Sequence, residues 1–438
     1  MKQPLLIYVV EKTNRVAYIF PILFNALGIN NLKITTNTEQ FKFHRGPKIN
    51  YSNSRFTNEE YWVKPVRLLF EKTIQEQLIH CFKWKGEKAF YKTEGCDFPF
   101  DIFAASFYLI TRYEEYLPHD KDLYGRYAHE NSIAFKEGFL QLPLANSWMK
   151  EFGNELLKKF PLIEVHSPSF QFLPTYDIDI AWSYLHKGFF RNAGGFAKDF
   201  LQGKWKGIKE RIKVLITGKS DPFDGFKWLH LLHEKHRLKP IYFFLLAAKN
   251  KRYDKNILPT NVRIKQLIQQ HSKMYPVGIH PSWQSGDETL LLKKEIEHLQ
   301  SISGKKITKS RQHYIRMQMP ETYRQLIDNG IAEDYSMGYG SINGFRASFC
   351  MPFTWYDLQN DISTPLIVYP FCYMDANSFF EQQNTSLQAL DEMNHYYKVV
   401  NEVGGLLITI WHNHFLGTEK KFDGWREVYE EWVGKKMK

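Results

Sequence analysis

Two aspartates, Asp177 and Asp179, follow an apolar stretch at residues 170–173 that the residue pattern predicts to be a buried strand. Aspartate is depleted in strands, and it is almost never buried unless it is paired or bound to a cation. Residues two apart on a strand point to the same side, where like charges repel unless a cation or a transferable proton separates them. The spacing therefore indicates metal binding or acid–base chemistry, although one aspartate capping a helix beside a solvated one would have the same spacing.

From residue 170 onward the chain alternates between predicted strands and helices. Strands are predicted at residues 170–178, 240–246, 276–280, 332–335, 366–369 and 406–411, and helices at 288–300 and 320–329. This alternation favours a parallel α/β sheet or barrel, in which chemistry takes place at the carboxyl ends of the strands. The polar residues predicted to meet at that edge are Asp177, Asp179, His280, Tyr335 and His412.

The first part of the chain is predicted to be a separate unit. A length of 438 residues favours two domains, and prolines near residues 161–168 suggest the boundary. We expect residues 1–165 to form a smaller α+β or α/β domain of unknown role that folds independently of residues 166–438. A polar loop that contains Asp120, Asp122, Arg126 and His129 is interpreted as a solvated connection.

Composition narrows the range of partners. The net charge of +11 favours anionic surfaces, but the chain has no recognition-helix or aromatic-basic sheet pattern, so nucleic acid is not an expected partner. The four cysteines form no Cys-x-x-Cys pair and do not indicate a disulfide framework. The apolar runs are too short for a signal segment or a membrane span. We expect a cytoplasmic protein, with peripheral attachment to the inner membrane as an additional possibility.

Residues 186–220 interrupt the alternation with a basic and aromatic segment. The segment contains nine Lys or Arg residues but only two acidic residues, Asp199 and Glu210. It therefore carries seven of the eleven net positive charges of the chain. A basic helix with aromatic residues on its other face can lie on an anionic membrane, here beside the mouth of the site. The alternative interpretation is an amphipathic helix packed on the barrel with solvated lysines.

Several of these segments, in their order along the chain, resemble the motifs of the polysaccharide deacetylase family of carbohydrate esterases. Thr-Tyr-Asp-Ile-Asp at 175–179 resembles the family's Thr-Phe-Asp-Asp with one residue inserted, and Gly-Ile-His-Pro-Ser-Trp-Gln at 278–284 resembles its second motif. Arg-Gln-His-Tyr at 311–314 and the strand ending in His412 resemble two later motifs. The similarity covers residues 168–415, and the whole chain resembles bacterial surface-polysaccharide proteins that add an uncharacterised N-terminal domain.

The resemblance implies a distorted (β/α) barrel that hydrolyses acyl groups with a divalent metal. It implies that Asp179 and His280 bind the metal. The third ligand is expected to be His313, although His414 or the amide oxygen of Gln284 are alternatives. Zinc suits a set of aspartate and histidine ligands that leaves one position open.

The same resemblance assigns catalytic roles to four residues. Asp177 is expected to act as the base, with Arg311 paired to it, and His412 as the acid that protonates the leaving group. The Tyr314 backbone N–H is expected to help stabilise the oxyanion. Aromatic rings that could stack on sugar faces are those of Trp283, Tyr335, Trp355 and Trp411, and Gln284 and His414 complete the predicted substrate-binding residues.

The predicted activity is the hydrolysis of an N- or O-acyl group on a sugar of a surface polysaccharide or its precursor. Gln284 stands where the family's second motif has its second histidine. This departure supports the alternative, a catalytically degenerate fold that binds a glycan or assembles other proteins. The expected partners are an acylated sugar or polysaccharide precursor and an anionic membrane surface.

Overall fold

A computed structural model of the chain describes residues 3–166 and 168–437, so Met1, Lys2, Ser167 and Lys438, which belong to the predicted domains, lie outside the described residues. The first region has a parallel sheet in the order β2-β1-β3-β4. Its strands are β1 (Leu5–Val9), β2 (Leu32–Thr35), β3 (Lys48–Tyr51) and β4 (Tyr61–Val63). A hairpin of β5 (Phe82–Trp84) and β6 (Glu87–Ala89) follows. The helices are α1 (Asn14–Asn25), α2 (Thr38–Phe43), α3 (Ile102–Ile110), α4 (Ile133–Lys136) and α5 (Leu144–Lys159).

Capping residues set the starts of the two central helices. The Thr13 side chain accepts a hydrogen bond from the Val16 N–H at the start of α1, and Asp101 caps α3 in the same way. Helix α3 ends at Ile110, and Arg112 just beyond it adopts a left-handed conformation with φ of 56° that a helix cannot continue through. A short 3₁₀ turn at Tyr113–Tyr116 follows it.

The second region is built on a nine-stranded sheet in the order β12-β13-β11-β10-β9-β8-β7-β15-β14, in which only β12 runs antiparallel to its neighbour. Its strands are β7 (Gln171–Ile178), β8 (Ile241–Leu245), β9 (Val277–His280), β10 (Lys309–Ser310), β11 (Glu333–Asp334), β12 (Phe353–Asp357), β13 (Ile362–Val368), β14 (Tyr373–Met374) and β15 (Leu406–His412). The predicted α/β fold is confirmed. Among the described residues no strand pairing joins β14 to β12, so closure of the barrel stays a prediction.

Helices follow most of the strands of this sheet. They are α6 (Phe189–Leu201), α7 (Trp205–Thr217), α8 (Phe226–His236), α9 (Val262–Met274), α10 (Thr289–Ser303), α11 (Glu321–Asp328), α12 (Ser386–Val403) and α13 (Trp425–Lys436). Helices α6 and α7 occupy the basic segment at 186–220. No helix within the described ranges is long and apolar enough to cross a membrane.

Strand register brings the polar strand ends to one edge of the sheet. Strand β7 lies between β8 and β15, and Asp177 is directly opposite His412 in the β7–β15 pairing. Leu245 of β8 is opposite His280 at the end of β9. The carboxyl ends of these neighbouring parallel strands therefore deliver their side chains to the same place.

The two regions are joined by buried polar contacts as well as apolar packing. The Glu115 carboxylate accepts hydrogen bonds from the Arg346 guanidinium, and the Tyr18 hydroxyl donates to the Thr354 carbonyl at 2.7 Å. One hydrophobic core extends from the helices of the first region to the large sheet. The predicted boundary between residues 165 and 166 stays a prediction.

Candidate metal centre and active-site cavity

A cavity of about 410 Å³ opens at the carboxyl edge of the large sheet. Its walls include polar side chains that follow four of the parallel strands and residues that come from the first region of the chain. The lining residues used below are Tyr124, Arg126, Asp177, Asp179, His280, His313, Tyr314, His412 and His414.

Asp179, His280 and His313 form a compact cluster in this cavity. One ligand atom from each of the three lies within 4.8 Å of those of the other two. His280 Nε2 is 3.2 Å from Asp179 Oδ1, and His313 Nε2 is 3.6 Å from Asp179 Oδ2. Among the described residues, the buried Oδ1 atom of Asp179 has no hydrogen-bond partner. A cation would satisfy this oxygen, so these residues fit a metal site.

Each histidine of the cluster has a hydrogen-bond partner at Nδ1, the ring nitrogen that is not directed at Asp179. His280 Nδ1 lies 2.6 Å from the Arg311 carbonyl, which can only accept, so Nδ1 carries the proton and Nε2 is free to bind a metal. His313 Nδ1 lies 3.1 Å from Asp254 Oδ1. Imidazoles that bind metals usually donate their second nitrogen to such a carbonyl or carboxylate. The contacts therefore orient both rings toward Asp179.

The electrostatics of the cluster suit a cation. Burial alone would raise the pKa of Asp179, but His313, His280 and His412 outweigh it and hold the pKa well below its usual range. Burial lowers the pKa of His313, whereas Asp179 and Asp254 raise it, with a net value of about 9. The carboxylates thus favour positive charge at the centre of the cluster, which a divalent ion would supply with neutral imidazoles as ligands.

Asp177 lies beside the cluster and is held by a buried arginine. Arg311 Nη1 donates to Asp177 Oδ1 at 3.0 Å and to the Thr175 hydroxyl oxygen at 2.7 Å. The other carboxylate oxygen, Oδ2, is 3.9 Å from His280 Nε2. One oxygen of Asp177 is therefore fixed by the arginine, and the other faces the candidate metal ligands.

His412 is held by a buried carboxylate, that of Asp375. His412 Nδ1 is 2.7 Å from Asp375 Oδ1, and the His412 backbone N–H donates to Asp375 Oδ2 at 2.6 Å. The other ring nitrogen, Nε2, is 3.7 Å from Asp179 Oδ2. Burial lowers the pKa of His412, but Asp375, Asp179 and Asp177 raise it to about 10. The Asp375 contacts therefore orient the ring so that its Nε2 faces the cluster.

The two alternatives for the third ligand are Gln284 and His414. Gln284 donates from Nε2 to Asp254 Oδ2 at 3.1 Å. Its amide therefore helps to position the Asp254 carboxylate that contacts His313 Nδ1. His414 lines the cavity, and burial together with the nearby His412 lowers its pKa to about 3. Among the His, Cys, Asp and Glu residues that the structure describes, His313 and not His414 clusters with Asp179 and His280.

Tyr314 and Trp283 belong to an aromatic cluster at the cavity rim. The Tyr314 backbone has a left-handed φ of 58°, and its ring stacks on Tyr124 with 5.4 Å between centroids. Trp283 stacks on Tyr253 at 4.0 Å and is 6.1 Å from Tyr124. Trp283 is half-buried and adjoins residues that line the cavity, so a sugar-binding role for it stays a prediction.

Three predicted sugar-stacking residues are core residues instead. Trp411 is fully buried and packs against Tyr429 with 4.5 Å between centroids. Tyr335 is buried against Tyr369 at 4.5 Å and donates its hydroxyl proton to Glu333. The buried Trp355, which packs on Tyr323, is a third. None of these rings has a free face for a sugar, because all three pack within the protein interior.

Sequence reasoning missed three side chains that support the site. Asp375 follows strand β14, so the strand-end rule that identified Asp177 could have found it. Asp254 lies in an irregular segment between β8 and α9, where no pattern marks it. Arg126 is buried, not solvated as predicted for its loop, and donates at 2.6 Å to both the Tyr314 carbonyl and the Asp122 carboxylate. The loop of the first region is therefore part of the cavity wall.

The contact between Asp254 and His313 leads to a prediction about metal affinity. Asp254→Asn should weaken metal binding by about 10–100-fold, because the amide is a poorer acceptor for the His313 N–H. Competition with a metal chelator would measure the affinity. The exposed Asp328→Asn at the end of α11 is the control and should leave the affinity unchanged. Equal affinities in all three proteins would rule out this supporting role.

Comparisons with known proteins find one family model and several remote structural similarities. Residues 5–161 match the model of DUF7033, a family of unknown function, and no curated protein matches the chain. A proposed polysaccharide deacetylase from Mycobacterium smegmatis is 13% identical, with 62% of this chain and 85% of that chain covered and a TM-score of 0.40. The PuuE allantoinase is 10% identical, with 61% of this chain and 83% of that chain covered and a TM-score of 0.39. A polysaccharide deacetylase from Bacillus cereus is 10% identical, with 61% of this chain and 88% of that chain covered and a TM-score of 0.30. Likenesses this remote assign no activity to the chain.

Proposed function

We propose that this protein is a metal-dependent hydrolase that removes an N- or O-acyl group from a sugar of a surface polysaccharide or its precursor. One observation carries the proposal. The cluster of Asp179, His280 and His313 lies in a cavity beside a carboxylate, Asp177, and an imidazole, His412, each fixed by its own buried partner. A ligand set, a base and an acid in one cavity are the groups that hydrolysis of an unreactive amide or ester requires.

The carboxylate and the two imidazoles of the cluster would hold the metal, which we propose to be zinc. This donor set leaves a position open for water or substrate. A divalent ion bound there would polarise the acyl carbonyl and lower the pKa of water, and would thereby supply the electrophile that the protein side chains lack.

The remaining residues would position substrate and move protons. Asp177, with Arg311 fixing one oxygen, would accept the proton of the water that attacks the acyl carbon. His412 would donate its Nε2 proton to the leaving nitrogen or oxygen, while Asp375 keeps the ring in place from the Nδ1 side. Each proton-transfer group is already oriented, so little reorganisation is needed during the reaction.

The sugar assignment rests on the motif resemblance and on the character of the cavity. Tyr124 and Tyr314 provide stacked rings at its wall, and such faces pack well against the apolar faces of sugars. We propose that the substrate is an acylated sugar or polysaccharide precursor and that the protein acts in the cytoplasm at the inner membrane.

Metal content and acyl release test this proposal together. Purified protein should contain about one zinc ion per chain and should release acetate from acetylated oligosaccharides. Asp179→Ala and His280→Ala should lose the metal, because each removes one of three ligands, and Asp328→Ala should keep it. Elemental analysis measures the metal. A chain with no metal that still binds oligosaccharides would support the alternative of a degenerate glycan-binding fold.

A further inference from the structure

Helices α6 and α7 form a hairpin with an uncovered apolar face. In α6 the side chains of Phe189, Phe190 and Leu201 are 80%, 89% and 85% exposed. The hairpin adds further exposed large apolar residues, namely Phe196, Phe200, Trp205, Ile212, Leu215 and Ile216. Monomeric proteins rarely leave so many neighbouring apolar side chains in water without a binding partner.

The apolar residues follow helical spacing. In α6, residues 189, 193, 196 and 200 recur at intervals of three and four, and in α7 residues 205, 208, 212 and 215 do the same, of which Ile208 is buried and the others are exposed. Phe200 and Trp205 contact each other across the turn, with ring centroids 5.4 Å apart. Each helix is thus amphipathic, and the turn joins their apolar faces.

Six exposed lysines accompany this apolar face, and in the part of the chain that the structure describes none of them forms an ion pair. They are Lys198, Lys204, Lys206, Lys209, Lys213 and Lys219. The two acidic residues of the hairpin are engaged locally, since Asp199 accepts from Arg211 at 2.8 Å and Glu210 accepts from the Tyr184 hydroxyl. The positive charge of the hairpin is therefore free to meet an anionic surface.

We propose that the α6–α7 hairpin is a docking element for an anionic lipid bilayer. Exposed aromatic and aliphatic residues combined with free lysines are the composition of helices that lie in a membrane interface. The apolar side chains would enter the headgroup region, and the lysines would contact anionic lipid headgroups. The protein would bind to the bilayer surface without crossing it.

This proposal is independent of the proposed catalytic activity. None of the hairpin residues lines the cavity that holds the candidate metal ligands. Two contacts fix the base of the hairpin to the rest of the protein, since Arg191 Nη1 donates to the Asn256 carbonyl and Asn261 donates to the His186 carbonyl. Membrane docking would thus hold the enzyme at a surface, whatever its substrate.

Vesicle co-sedimentation of the full-length protein tests the proposal. Vesicles of phosphatidylcholine with phosphatidylglycerol should bind the protein at low salt, and binding should weaken as salt screens the charges. Vesicles of phosphatidylcholine alone should bind it far less. Absence of binding to the anionic vesicles at low salt, or equal binding to both kinds, would overturn the proposal.

Matched variants separate the hairpin from the overall charge. Five Lys→Gln changes in the hairpin should weaken binding by at least about a hundredfold, and five elsewhere should have a much smaller effect. The hairpin set is Lys198, Lys204, Lys206, Lys209 and Lys213, and the control set is Lys12, Lys33, Lys72, Lys294 and Lys398, all exposed. Equal effects of the two sets would overturn the proposal.

A third variant tests the apolar contribution. Phe189→Ser combined with Phe190→Ser should weaken vesicle binding without unfolding the protein, because both rings are already in solvent. Circular dichroism checks the fold. Unchanged binding would contradict insertion of the aromatic face, and concentration-dependent dimerisation without vesicle binding would assign the face to a second copy of the chain instead.

Discussion

Replacing Asp177 by asparagine is expected to abolish turnover while the protein keeps its metal. Asp177 lies beside the candidate metal ligands but is not among the three clustered residues, and Arg311 holds one of its oxygens at 3.0 Å. Asparagine preserves the size of the side chain and an oxygen that can accept from Arg311, but it cannot take a proton. Loss of a general base typically lowers the rate by about 10²–10⁴-fold.

The comparison with Asp179→Ala makes this result specific. That variant should lose both metal and activity, whereas Asp177→Asn should lose activity alone. Metal content by elemental analysis and kcat for acetate release are measured on the same preparations, and thermal unfolding checks that Arg311 tolerates the loss of its charged partner. If both variants lose metal and activity to the same extent, Asp177 is a ligand and not the base.

Strand periodicity explains why the centre of the site was predictable from the sequence. Asp177, His280 and His412 each lie at or next to the carboxyl end of a short strand, and parallel strands bring such ends to one edge. The same alternation shows why Trp411 is not a sugar-binding residue. It immediately precedes His412 on β15, so if His412 points into the cavity, Trp411 must point to the opposite face, where helix α13 packs.

Two of the supporting residues, Asp254 and Arg126, were not predictable in this way. Asp254 reaches His313 from a segment 59 positions away, and Arg126 reaches the Tyr314 carbonyl across 188 positions. Periodicity reports which face a residue occupies within one element, but it carries no information about which distant loop packs over that face. The polar loop around Arg126 therefore looked solvated from its composition, although tertiary contacts bury the arginine.

A second large effect is expected at the buried contact between the two regions of the chain. Glu115→Gln should lower the free energy of unfolding by about 3–5 kcal/mol at pH 7, because it leaves the buried Arg346 guanidinium without its carboxylate. Glu115 Oε1 accepts from Arg112 Nε at 2.7 Å and Arg346 Nε at 2.8 Å, and Oε2 accepts from Arg346 Nη2 at 2.6 Å. Chemical denaturation measures the loss. The control is Glu151→Gln, which removes an exposed pair with Lys85 and should cost no more than about 1 kcal/mol.

The effect of Glu115→Gln should also depend on pH. Burial would raise the pKa of Glu115, but Arg346 and Arg112 outweigh it and lower the pKa to about 2. A carboxyl group whose pKa is lower in the folded state stabilises the protein above its unfolded pKa of about 4.5 and loses that contribution as pH falls toward 2. The difference in unfolding free energy between wild type and Glu115→Gln should therefore be full at pH 7 and shrink progressively below pH 4.5.

A difference that does not change with pH would mean that the variant acts through packing alone. A loss no larger than that of Glu151→Gln would mean that the contact between the regions contributes little to their stability, as expected if residues 1–165 fold on their own.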